Sequence, residues 1–198
     1  DLVELGIPYS DPLADGPTIQ AASQRALTDG TTVGGVLECA ARVRSASDIA
    51  LVIMTCYNPI LQFGTEEFAR AAAEQGVDGV LISDLPPAES DEWCRAAAEH
   101  GLGTVFLVAP TNDDGYIDQA LGRTTGFCYA ISRPGVTGAR DDLPADLAQF
   151  VERVKAHARV PVAVGFGISN AQQVRAVLDV ADGAVVGSAI VDLIAEGN

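Results

Sequence analysis

Three carboxylates crowd into one short stretch, Glu4-Leu5-Gly6-Ile7-Pro8-Tyr9-Ser10-Asp11-Pro12-Leu13-Ala14-Asp15-Gly16-Pro17. Glu4 stands inside an apolar run that reads as a strand. Asp11 and Asp15 follow in a loop rich in glycine and proline. A carboxylate within a buried strand is partly desolvated, which raises its pKa and suits it to proton transfer. Glu4 reads equally as half of a salt bridge at a sheet rim, and Asp11 and Asp15 as turn or helix-capping groups.

A second chemistry is written in glycine. Gly165-Phe166-Gly167-Ile168-Ser169 follows a valine-rich strand and opens a helix, and Gly187-Ser188-Ala189 repeats the pattern after the next strand. Backbone N–H groups at such junctions converge on a phosphate with the helix dipole behind them. A tight turn alone explains each junction as well. Gly135-Val136-Thr137-Gly138-Ala139-Arg140 is a third glycine-rich loop, able to close over a ligand and bring the Gly138 N–H to it. A surface loop with no ligand fits it too, as a solvated arginine fits Arg133. No GxGxxG occurs, so a dinucleotide fold gains no support. Asn58-Pro59 and Asp84-Leu85-Pro86-Pro87 read as strand-end loops shaped by proline. Cys56, Cys128 and Trp93 read as packing residues.

These groups need a frame. Apolar runs predict strands over 2–6, 49–54, 79–82, 104–108, 126–131, 162–165 and 183–186. They are too continuous for half-exposed strands and fit a parallel sheet covered by helices. Helical patterns run over 18–28, 33–46, 65–75, 89–100, 115–121, 145–157 and 171–178, several ending in glycine. Ser169 or Asn170 can cap the last. The alternation predicts an α/β fold, either a doubly wound sheet or a (β/α)8 TIM barrel. Seven strands are one short of a barrel, which points to a strand upstream of Asp1.

The 198 residues fit one domain, or two small ones at most, and 48% hydrophobic residues can build a sizeable core. Twelve Lys and Arg against 27 Asp and Glu give a net charge of −15, which disfavours nucleic acid and anionic membranes as partners. An anionic small ligand stays possible, because backbone amides carry no formal charge. The four cysteines form no CxxC pair and both histidines stand alone, so no metal site is expected. Free thiols fit a reducing cytoplasm. No apolar run reaches membrane-spanning length.

The stretch Glu4–Gln20, ELGIPYSDPLADGPTIQ, closely resembles the signature of the tryptophan synthase alpha chain family. Asp84-Leu85-Pro86, Gly135-Val136-Thr137-Gly138, Gly165-Phe166-Gly167-Ile168-Ser169 and Gly187-Ser188-Ala189-Ile190-Val191 follow in the family's order over essentially the whole chain. The first motif is highly specific; the glycine motifs are shared with other phosphate-binding barrels. The resemblance implies a (β/α)8 barrel and a lyase that splits indole-3-glycerol phosphate into indole and glyceraldehyde 3-phosphate. It implies no cofactor in this chain, and a pyridoxal-phosphate-dependent beta chain as partner in an α2β2 tetramer. It implies Glu4 and Asp15 as catalytic groups, and Gly138, Phe166, Gly167, Gly187 and Ser188 as the phosphate site. Leu81 and Tyr129 would line the pocket and Thr137 would order the closed site. Pro8, Asp11, Pro12 and Arg133 would face the beta chain. The family has one more strand–helix unit before residue 1 and a final helix beyond Asn198. The resemblance therefore implies a single domain, 1–198, incomplete at both ends. Cys56 stands where the family usually has tyrosine, on the pocket side.

Two other readings stay in view. A non-catalytic homologue would dock on a beta chain and activate it, though it has no need of two carboxylates. A different phosphate-sugar barrel explains the glycine loops but not the first motif.

Overall fold

A computed structural model describes residues 1–12, 15–132 and 144–197. Among the described residues there are eight strands: β1 (Leu2–Gly6), β2 (Ala50–Thr55), β3 (Gly79–Ile82), β4 (Gly103–Val105), β5 (Leu107–Val108), β6 (Cys128–Ile131), β7 (Val162–Gly165) and β8 (Gly183–Ala184). The helices are α1 (Pro17–Thr28), α2 (Val33–Ala46), α3 (Tyr57–Phe63), α4 (Thr65–Glu74), α5 (Asp91–Glu99), α6 (Asp114–Arg123), α7 (Leu147–His157), α8 (Ala171–Leu178) and α9 (Ser188–Ala195). The strands form two four-stranded sheets, β1-β2-β3-β4 and β5-β6-β7-β8, and every pairing is parallel. The chain packs as two compact units, Asp1–Asp11 with Ser23–Val105, and Pro12–Ala22 with Phe106–Asn198.

In the first unit, strand alternation sorts the side chains. Val3, Leu5, Leu51, Ile53, Val80 and Ile82 join one cluster with Leu37, Ala40, Ile60, Phe68, Ala72, Trp93 and Ala97 from the helices. Phe68 packs edge-on to Phe63 and tilted against Trp93, each at 6.1 Å between ring centroids. Continuous apolar strands therefore bury one face under helices. The register sends the other residues, Glu4, Val52, Met54 and Leu81 among them, to the opposite face. In the second unit the fully buried strand residues are Val108, Cys128, Ala130, Val162 and Val164. Alternation sets these opposite to Tyr129 and Ile131.

Two expectations change. The strand expected over 104–108 is two. Pairing with β3 ends at Val105, pairing with β6 begins at Leu107, and Phe106 divides the run between the sheets. The loop expected at Asn58-Pro59 is helix α3. Pro59 is its third residue, where an N–H would have no acceptor within the helix, so proline fits there. Cys56 precedes the helix without a side-chain cap. The cap comes from a neighbouring strand end: Asp84 Oδ1 accepts the Tyr57 N–H at 2.6 Å.

Candidate active site

The first unit carries Glu4 and Leu81. Glu4 pairs in register with Val52, and Leu81 with Met54, one pleat further along the same sheet face. Among the described residues, Glu4 is the one charged side chain in any β-strand. Its Oε2 is buried, with less than 1 Å² exposed. Leu81 is fully buried. A half-buried carboxylate with one oxygen shut from solvent, in an apolar strand, is a setting for proton transfer. After β1, Ile7 N–H donates to Met54 O at 3.0 Å, which carries the sheet pairing one residue past the strand. Pro8 is half-buried and Asp11 is exposed. Asp11 Oδ2 accepts from Ser10 Oγ at 2.9 Å, the local turn contact that its position allows.

The second unit carries Pro12, Asp15, Tyr129 and the described glycine junctions. Asp15 N–H donates to Pro12 O at 3.1 Å, and Asp15 O accepts from Gln20 Nε2 at 2.8 Å, so both its backbone groups are tied. Burial holds the Asp15 carboxyl above the usual aspartate value.

β7 and β8 are adjacent and parallel, with Ala163 opposite Gly183 and Val164 opposite Ala184. The Phe166-Gly167 and Gly187-Ser188 junctions therefore leave neighbouring strands at the same sheet end. At the first, φ is 73° for Phe166 and 86° for Gly167. Both residues lie in the left-handed region, which at the non-glycine one costs roughly 1–3 kcal/mol. The strain has visible supports. Tyr129 packs edge-on against Phe166 at 5.9 Å. Ser132 Oγ donates to Phe166 O, and Ser132 N–H donates to Gly165 O at 3.0 Å. A Cβ on Gly165 would overlap the phenol oxygen of Tyr129 and the ring carbon bearing it, so only glycine fits beneath that ring. None of the backbone hydrogen bonds among the described residues uses the N–H of Phe166, Gly167 or Ile168. Asn170 caps α8, its Oδ1 accepting from Gln173 N–H at 2.9 Å. Ser188 is buried at the start of α9, behind Gly187, and no side chain caps that helix. Two helix N-termini side by side, one with no side-chain cap, form a setting for an anion.

Gly138, Thr137 and Arg133 lie outside the described residues. Cys56 is half-buried at the end of β2, its Sγ 3.7 Å from Ser83 Oγ. Cys128 alone among the cysteines is buried, and burial pushes its thiol up to about 12, which leaves it unreactive. His100 and His157 each meet a carboxylate, Glu66 at 2.6 Å and Asp118 at 2.7 Å. Among the described residues no group of three His, Cys, Asp or Glu could hold a metal. Nor is any helix there long and apolar enough to cross a membrane. Reasoning from sequence passed over Ser132 and the capping role of Asp84, whose partners are 34 and 27 residues away.

Parallel strands alternating with helices define an α/β protein, and in its second sheet two strand–glycine–helix junctions stand side by side. Solved structures give its class. A chain of the tryptophan synthase α2β2 complex of Pyrococcus furiosus superposes with a TM-score of 0.92 at 42% identity, covering 98% of this chain and 79% of that one. Mycobacterium tuberculosis tryptophan synthase gives 0.92 at 40% identity, over 99% and 75%. The fold class is the (β/α)8 barrel. The family model for the tryptophan synthase alpha chain matches residues 1–198, and the chain belongs to that family. The alpha chain of Geobacter sulfurreducens is 50% identical over 193 residues, covering 98% of this chain and 73% of its own length. That of Opitutus terrae is 48% identical over 196 residues, covering 99% and 74%.

Proposed function

We propose that this chain cleaves indole-3-glycerol phosphate to indole and glyceraldehyde 3-phosphate, in tryptophan biosynthesis, and passes the indole to a beta chain. The observation that carries the site reading is Glu4, half-buried with its Oε2 shut from solvent, and the one charged side chain in the described strands. Family membership supplies the reaction.

The chemistry asks for two proton transfers. A proton goes to indole C3, and one leaves the side-chain hydroxyl on the adjoining carbon. The bond between those carbons breaks, its electron pair returns to the ring and the carbinol becomes an aldehyde. Glu4 does this acid–base work in our reading. Asp15 accepts the indole N–H and stabilises the positive charge that grows on the ring as C3 takes its proton. The amides of Phe166, Gly167, Gly187 and Ser188, with Gly138, hold the phosphate and so fix the reacting end. The family resemblance adds Leu81, Tyr129 and Thr137 as substrate-side residues. The step is redox-neutral, and in our reading acid–base side chains and backbone donors carry it. Pyridoxal phosphate belongs to the partner beta chain, which condenses indole with serine. The two chains form an α2β2 assembly, with Pro8, Asp11, Pro12 and Arg133 toward the beta chain, in the cytoplasm.

The test is indole release from indole-3-glycerol phosphate, with Glu4→Gln beside the parent and with a beta chain present. Indole from the parent and a loss of about 10²-fold or more in the variant is the expected result. A parent that releases none, yet stimulates the beta chain, would instead be a docking homologue.

A further inference from the structure

We propose that Ser132 is a positioning residue for the phosphate, acting through the Phe166-Gly167 corner. The proposal rests on the phosphate reading above. Ser132 is 3% exposed and immediately follows β6. It grips the neighbouring corner twice. Its N–H donates to Gly165 O at 3.0 Å, and its Oγ donates to Phe166 O.

Each contact fixes a donor. A peptide is a rigid plane, with the carbonyl and the next N–H pointing in opposite directions. Holding Gly165 O sets the direction of the Phe166 N–H. Holding Phe166 O sets the direction of the Gly167 N–H. One residue thus orients two successive amides, both assigned here to the phosphate. The corner needs holding, because Phe166 sits at φ 73°, a conformation that a bulky side chain rarely adopts. Tyr129 steadies the Phe166 ring, with 5.9 Å between the ring centroids. The hydroxyl of Ser132 fixes the Phe166–Gly167 peptide plane through its bond to Phe166 O. Anions are bound by amides already aimed at them, so freeing the corner costs affinity before it costs chemistry.

The test compares Ser132→Thr with Ser132→Val in the chain together with its beta partner. Threonine and valine have nearly the same shape and differ in the hydroxyl, so a packing change is common to both. Two quantities are read: steady-state kinetics with indole-3-glycerol phosphate, and the Kd of inorganic phosphate by calorimetry. The valine variant should weaken phosphate and raise KM by about tenfold each, with kcat within a few-fold. The threonine variant should stay close to the parent. Equal phosphate affinity in the two variants overturns the proposal, whatever their melting temperatures, and leaves the lyase reading standing if the parent releases indole. A parent that binds no phosphate overturns both the proposal and the phosphate reading.

Discussion

The Asp84 carboxylate accepts the N–H of Tyr57 at 2.6 Å, so the first amide of α3 is capped from the end of the next strand. Cys56, at the ordinary capping position, gives that helix no side-chain bond. Asp84→Ala should therefore destabilise the chain by about 1 kcal/mol, the usual worth of a lost cap. Asp84→Asn keeps an acceptor and should lose less than half as much. Urea unfolding of the two variants checks this, and equal losses would mean that the charge, not the bond, matters.

Gly165 lies beneath Tyr129, so close that a Cβ there would overlap the phenol oxygen and the ring carbon bearing it and stand 2.6 Å from the next ring carbon. Gly165→Ala must push the ring aside and with it Phe166. Overpacking of this kind costs about 1–3 kcal/mol. KM for indole-3-glycerol phosphate should rise as well, because the corner carries proposed phosphate donors. Tyr129→Phe cannot relieve the clash, since the ring carbon remains; Tyr129→Ala should. A double-mutant cycle that shows the Gly165→Ala penalty undiminished in Tyr129→Ala would refute the packing account.

Local features were legible in the sequence. Strands Leu2–Gly6, Gly79–Ile82 and Val162–Gly165 and helix Val33–Ala46 fall where apolar runs, glycine and capping residues put them. Gly30, Gly76 and Gly101 take the positive φ expected of helix ends. The strand–glycine–helix junctions were readable because a glycine turn is a local property. Glu4 was readable because a charge inside an apolar run breaks the pattern. What escaped was non-local. Asp84 caps a helix 27 residues away, and Ser132 holds a carbonyl 34 residues away. Pro59 misled because a proline marks a loop or a first helical turn with equal ease.

One device occurs in both units. Asp78, before β3, accepts the Leu51 N–H at 2.7 Å, returns its own N–H to Leu51 O at 2.8 Å and meets Arg44 at 2.6 Å. Asp182, before β8, accepts the Val162 N–H at 2.8 Å, returns its N–H to Val162 O at 2.9 Å and meets Lys155 at 2.9 Å. Each aspartate ties the start of its strand to the start of the one before. The hydrogen bond from Lys155, then that from Val162, holds the Asp182 carboxyl below its ordinary value. A depressed acid contributes stability above its unfolded pKa and loses it as pH falls through the folded one. Asp182→Asn should thus be less stable than the parent at pH 7, by no more than about 1 kcal/mol at so exposed a site. The gap should close in acid, below the ordinary aspartate range. Asp182→Ala, which also frees the Val162 N–H, should cost about 1–2 kcal/mol and keep a deficit in acid. Denaturant midpoints across about pH 2–7, a range set by ordinary carboxylate titration, separate the two.

Asp15 behaves in the opposite sense, and the difference joins stability to function. Burial raises its carboxyl above the ordinary value. A raised acid favours the folded state below its unfolded pKa, and that advantage is lost as pH rises through the folded pKa. Above its unfolded pKa, ionising the buried Asp15 is therefore a burden on folding. In the proposed reaction that charge is needed, because it faces the positive charge growing on the indole ring. Asp15→Asn should be at least as stable as the parent at pH 7, yet lose about 10²–10³ in kcat. The asparagine can still accept the indole N–H, so the loss measures the charge alone. In the parent, kcat should climb with pH through a value above that of a free aspartate, and the variant should lack that limb. Thermal unfolding and a pH–rate profile on the same two proteins check both halves. A variant that keeps its rate would remove Asp15 from the chemistry, and one that is clearly less stable at pH 7 would show that the carboxylate serves the fold instead.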